Sequence, residues 1–190
     1  TTSAVSNGSI SSWGQRVGYA MIEDVEVEIG GQRIDKHYGK WMQIWSELSS
    51  TKNQADVLDK LVGGATTPSG AEKTWYTPLQ FWFCRNPGCA LPLIALQYHE
   101  VKINLTFKPL SHLLLGSNTD AGTTTMSASL YVDYIYLDTD ERRRFAQISH
   151  EYLIEQLQYI DYNRPLTQDR NINLKLNHPI KELIWVGKGS

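Results

Sequence analysis

PLQFWFCRNPGCALPLIALQYHEVKINLTF, residues 78–107, ends in the segment that decides the fold. Val101, Ile103, Leu105 and Phe107 alternate with Lys102, Asn104, Thr106 and Lys108, the period of two expected of a strand with one wet face. Just upstream, Leu79, Phe81 and Phe83 point one way and Gln80 and Trp82 the other, which reads as another strand. Asn86-Pro87-Gly88 then turns the chain toward ALPLIAL, and His99 ends a turn before the next strand. The whole stretch reads as wall, since each large apolar side chain gains ~1.5–3 kcal/mol when buried.

Cys84 and Cys89 sit inside it and invite a metal or a disulfide. C-x4-C is not the spacing of a zinc ribbon, and no second pair exists to complete four ligands. A disulfide across the Asn86-Pro87-Gly88 turn is geometrically conceivable. In a reducing compartment the two thiols serve instead as small buried hydrophobes, and that reading is preferred here.

Outward from this stretch, more strands follow. Val25, Val27 and Ile29 alternate with Glu26 and Glu28, and Gly30-Gly31 supplies the positive φ of a tight turn before QRIDKHY, so a hairpin is expected. Residues 128–137, ASLYVDYIYL, are apolar or aromatic at nearly every position, the pattern of a strand covered on both faces. Ile172, Leu174 and Leu176 alternate with Asn173, Lys175 and Asn177, and IKELIWV follows His178-Pro179, which suggests a second hairpin.

Helical signals are fewer. Trp41, Ile44, Trp45 and Leu48 share one face of a short helix around 38–50. Residues 51–74 and 108–127 read as long loops. In 140–160, Phe145, Ile148, Tyr152, Leu153, Leu157 and Ile160 fit a helical stripe, while Ser149-His150 could interrupt it and leave a strand at EYLIEQLQY. Thr139 or Asp138 can cap the helix start, with Asp140 and Glu141 favoured there by the helix dipole. Short strands joined by long loops, without a βαβ rhythm, point to a mostly β sandwich.

Composition sets the remaining bounds. The chain has 190 residues, 41% hydrophobic and 20% charged, enough for one sizeable core, and a net charge of −2 that offers no basic field for nucleic acid. No run approaches the ~20 apolar residues of a membrane helix, and TTSAVSNGSISSWGQ lacks the pattern of a signal peptide. The chain starts without Met and ends directly after an apolar run, so it is expected to be a segment of something longer.

Motifs for catalysis are not found. There is no phosphate-binding or dinucleotide-binding glycine pattern. His99-Glu100 and His150-Glu151 begin like a zinc-protease helix motif, but Ile103 and Ile154 occupy the place of the second histidine. Asn7-Gly8-Ser9 and Asn104-Leu105-Thr106 match the glycosylation pattern and are assigned no role.

Four segments together carry a resemblance: VEVEIGGQRIDKHYGKWMQIWSEL, PLQFWFCRNPGCALPLIALQYHEVKIN, LYVDYIYLDTDERRRFAQISHEYLIEQLQ and NHPIKELIWV. In this order, from about Gly14 to Val186, they resemble the major capsid proteins of large icosahedral double-stranded DNA viruses, the group of iridoviruses and algal and protist giant viruses. The resemblance implies a double jelly roll, of which 1–147 would be most of the first barrel and 148–190 the opening strands of the second. It also implies a strand at HEYLIEQLQ, leaving helix only at about 139–146.

Its functional implications are structural. The protein would form homotrimers of pseudo-hexagonal outline, contact neighbouring capsomers and minor capsid proteins, and tile a virion shell assembled in the host cytoplasm. No cofactor, catalytic residue, direct nucleic-acid contact or membrane insertion is implied. Two rivals share the sandwich architecture. A carbohydrate-binding module would expose some of the six Trp and ten Tyr, whereas Trp13, Trp41, Trp45, Trp75, Trp82 and Trp185 are expected as core or subunit contacts. A cupin-type enzyme would need a metal cluster that His37, His99, His112, His150 and His178 do not space out. Finally, Asp138, Asp140, Glu141, Arg142, Arg143 and Arg144 crowd at the junction of the two expected barrels. Arginine forks can hold carboxylates bidentately, so this run is the candidate interface between barrels or protomers.

Overall fold

Gly30 and Gly31, at φ 59° and 80°, reverse the chain between strands β2 (Ile22–Ile29) and β3 (Gln32–Tyr38), forming the expected hairpin. The computed structural model describes residues 12–64, 73–115, 126–161 and 172–187. A third strand of this sheet, β4 (Val101–Phe107), pairs antiparallel with the other side of β2, so the sheet order is β3-β2-β4. Two further strands, β1 (Ser12–Trp13) and β5 (Leu114–Leu115), make a small separate ladder.

The hairpin carries a β-bulge. Ile29 pairs with Gln32 and Glu28 with Arg33, but Val27 pairs with Asp35, so Ile34 is the extra residue on β3. Below the bulge Val25 and Val27 lie beside His37 and Asp35 on one side and Leu105 and Ile103 on the other. That face is the core, where Val25, Val27, Met42, Val62 and Phe81 are fully buried together with Tyr19 and Ile22. The opposite face is polar: Lys36 reaches Asp24 at 3.1 Å and Glu26 at 2.8 Å, and this hydrogen-bonded company raises its pKa. A second cluster joins Trp13, Leu113 and Leu114 to Val17 of helix α1 (Val17–Ala20), with Trp75 edge-on to Trp13.

Helix α2 (Gly39–Ser49) lies where expected, yet it buries Gly39, Met42 and Ser46 rather than the predicted stripe. Trp41 and Trp45 do share a face, 5.7 Å apart, but are only half-buried, and Leu48 is exposed. The reason is close approach. A side chain at Gly39 would collide with the backbone carbonyls of Tyr19 and Ile22, so the small residues face the layer below.

Residues 51–74 contain a helix that the loop reading missed, α3 (Lys52–Val62). Thr51 and Gln54 form a reciprocal capping box, and Gly63 at φ 82° closes the other end. Arg16 ties it to α2 through ion pairs with Glu47 and, at 3.0 Å, Asp59.

Other expectations are corrected. The predicted strand around Phe81 is a sealed Phe81 followed by one helical turn, α4 (Trp82–Arg85), with Phe83 stacked on Phe81 at 5.6 Å. Residues 128–137 join no ladder, and Tyr131 and Tyr136 are 83% and 91% exposed. Their apolar content announces a face to be covered, but no described strand lies against it. Helix α5 (Thr139–Gln147) stops with Ile148 in an extended conformation, so the stripe to Ile160 is not one helix. The strand expected at HEYLIEQLQ and the hairpin expected over 172–186 likewise form no ladder among the described residues.

Thr1–Gln156 and Leu157–Ser190 form two units. Within the second, the Gln158 amide reads the backbone of Asn177 in both directions, donating to its carbonyl at 2.9 Å and accepting from its N–H at 3.1 Å.

Candidate functional site

Asp35 and His37 stand two residues apart on β3 and therefore face the same way, into the core. Their side chains are 1% and 3% exposed, and His37 Nε2 lies 2.9 Å from Asp35 Oδ2. The other carboxylate oxygen accepts the Lys36 backbone N–H at 2.9 Å. Phe81 lies nearly parallel to the imidazole, its centroid 4.4 Å away. A polar side chain sealed from water is costly unless a polar neighbour compensates it, and here each of the two is the other's neighbour. His37 Nδ1 has no hydrogen-bond partner among the described residues.

An imidazole oriented by a carboxylate is half of a nucleophile-activating constellation. Here both members are nearly sealed from solvent, beside Val25 and Val27 of β2 and with Phe81 laid along the imidazole. Straight two-residue hairpin pairing would set Ile34 and Lys36 inward and these two outward; the bulge reverses that sorting.

The charged run on α5 is arranged differently from the expected forks. Asp138 caps the helix by accepting the Glu141 N–H at 2.8 Å, while Glu141 reaches back to the Asp138 N–H at 3.4 Å. Asp140 and Arg143 form a loose, exposed pair at 3.7 Å. Arg142, Arg143 and Arg144 are all exposed. Two of the three carboxylates are thus committed to capping. Just after the helix, His150 packs on Phe145 at 5.0 Å, with its Nε2 2.7 Å from the Phe145 carbonyl.

The cysteines are less buried than the sequence reading holds. Cys84 is exposed and Cys89 half-buried, and both are free. Neighbouring atoms nevertheless desolvate the Cys84 thiol and push its pKa up, against the opposing pull of the Phe81 backbone and Arg85. Among the described residues no three His, Cys, Asp or Glu side chains gather as metal ligands would. Trp13 is core and Trp41, Trp45, Trp75 and Trp82 are half-buried, but Trp185 is 87% exposed.

A family profile described as major capsid protein N-terminus matches residues 1–138, and one described as large eukaryotic DNA virus major capsid protein matches 141–190. The chain belongs to the major capsid protein family of large eukaryotic DNA viruses. It is 54% identical to the major capsid protein of Pyramimonas orientalis virus, over all of this chain and 47% of that one. With the major capsid protein of Paramecium bursaria Chlorella virus 1 it shares 45% identity, over 87% of this chain and 40% of the relative. In a quasi-atomic model of the PBCV-1 virus capsid, one chain superposes with a TM-score of 0.69 at 41% identity, covering 83% of this chain and 38% of that one. The chain therefore spans less than half the length of these relatives.

Proposed function

We propose that this chain is part of a structural capsid protein whose copies associate as homotrimers and tile an icosahedral virion shell, without catalytic or cofactor chemistry. The observation that carries the reading is the shared fold with a chain of an assembled capsid, at substantial identity. The uncovered apolar run from Met126 to Tyr136 supports it, because a subunit buried in an assembly can carry side chains that a free monomer would hide. In this reading residues 1–147 form most of one jelly roll and 148–190 open the next, with neighbouring capsomers and minor capsid proteins as partners, no nucleic-acid contact, and assembly in the host cytoplasm. Arg142, Arg143 and Arg144, free of the capping duty of Asp138 and Glu141, are proposed to bridge barrels or protomers.

The test is sedimentation and electron microscopy of the longer parent protein, alongside a glycan array. Trimers or capsomer sheets without glycan signal are expected, with interfaces of ~2,000 Å² or more. A stable monomer that binds sugars would replace this reading with that of a carbohydrate-binding module.

A further inference from the structure

Residues 151–161 carry no regular structure, yet two of them are held by side-chain contacts to distant parts of the first unit. Arg85 Nη1 donates to Glu155 Oε2 at 3.2 Å across 70 positions of sequence. The Gln156 side-chain amide donates to the carbonyl of Ile34, the extra residue of the β3 bulge. Arg85 is itself fixed: its Nε donates to the Gln80 carbonyl at 2.9 Å, and its guanidinium lies 4.3 Å over the ring of Trp45 on α2. Glu155 and Gln156 are the last two residues of the first unit.

We propose that Arg85 and the Ile34 bulge form a clasp that holds Glu155 and Gln156, so that the chain leaves the first unit at a fixed point. Arg85 is the positioning residue. A guanidinium stacked on an indole and bonded to a backbone carbonyl has lost its freedom before Glu155 arrives, so the ion pair costs little further ordering. Ile34, which has no Cα partner in the hairpin register, contributes the carbonyl. The clasp lies wholly within the first unit and stands whether or not the capsid reading holds.

Limited chymotrypsin digestion of the 190-residue chain, followed by mass spectrometry, tests this. Cleavage after Leu153, which is 97% exposed, is compared with cleavage after Tyr131 elsewhere in the same unit. Arg85→Ala, Glu155→Ala and Gln156→Ala should each raise the Leu153 rate roughly fivefold relative to Tyr131, because proteolysis follows the population of the released segment. Arg85→Lys should not restore protection, since an ammonium cannot stack and fork together. The Arg85→Ala/Glu155→Ala double variant should cut no faster than the faster single. An unchanged ratio, or equal acceleration at both sites from a loosened core, overturns the proposal.

Discussion

Asp35 and His37 meet at 2.9 Å inside the first unit, each nearly sealed from water, with the ring of Phe81 laid along the imidazole. Removing one member strands the other. Asp35→Ala and His37→Ala should each cost ~1–3 kcal/mol in urea denaturation, because a buried polar group loses its neighbour, whereas the Asp35→Val/His37→Leu double variant should recover most of it. Single alanine variants that unfold with the parent would show that the pair holds nothing.

Gly39 is where α2 comes closest to the chain beneath it. Gly39→Ala places a methyl group against the carbonyls of Tyr19 and Ile22, which cannot swing aside as a side chain would, so a loss of ~3 kcal/mol or more is expected. Gly31→Ala serves as the contrast. It meets open space and suffers only from its φ of 80°, for ~1–2 kcal/mol. Thermal melts of the two variants in the same order, with Gly39→Ala far below, would bear this out.

Much of the sheet is legible in the sequence because its signal is local. Val101 to Phe107 and Val25 to Ile29 alternate cleanly, and Gly30-Gly31 marks the turn. The Asp35–His37 pair is not legible, because a bulge at Ile34 reverses the faces and nothing in QRIDKHY announces which residue will be extra. Helix α3 is half-legible: Thr51 with Gln54 and the closing Gly63 are standard end signals, but its interior is mostly polar. The failures from 126 onward have another cause. Apolar content at 128–137 and 172–186 reports that a surface wants a cover, and strand formation depends on what supplies that cover.

Cys84 gives a pH-dependent outcome. Desolvation raises its thiol pKa, so at neutral pH it holds less thiolate than an unperturbed cysteine and should alkylate more slowly with iodoacetamide. The sign for stability is fixed as well. An acid whose folded pKa lies above its unfolded one destabilises the fold as pH rises past the unfolded value, so wild type should lose stability there relative to Cys84→Ser. Faster alkylation than in the unfolded chain would contradict this. Zinc bound at one ion per chain would overturn the reading of both thiols as free.

Helix α5 separates two kinds of charge. Asp138→Ala removes the cap and should cost ~1 kcal/mol with loss of helical circular dichroism at 222 nm. Arg142→Ala, Arg143→Ala and Arg144→Ala should scarcely change the melting of this chain, where all three are exposed. In the longer parent at least one should lower the trimer melting temperature, more at low salt than at high. Three variants that melt with the parent at both salt concentrations would reduce the run to a solvated helix end.

The bulge at Ile34 also bears on how a hairpin like this can change length over generations. Loss of that one codon would join Arg33 directly to Asp35, and the ladder would close without any other residue changing sides. Inward-facing and outward-facing positions would be inherited intact. What would vanish is the carbonyl that Gln156 grips, so the hairpin would survive the deletion while the segment 122 positions downstream lost its mooring.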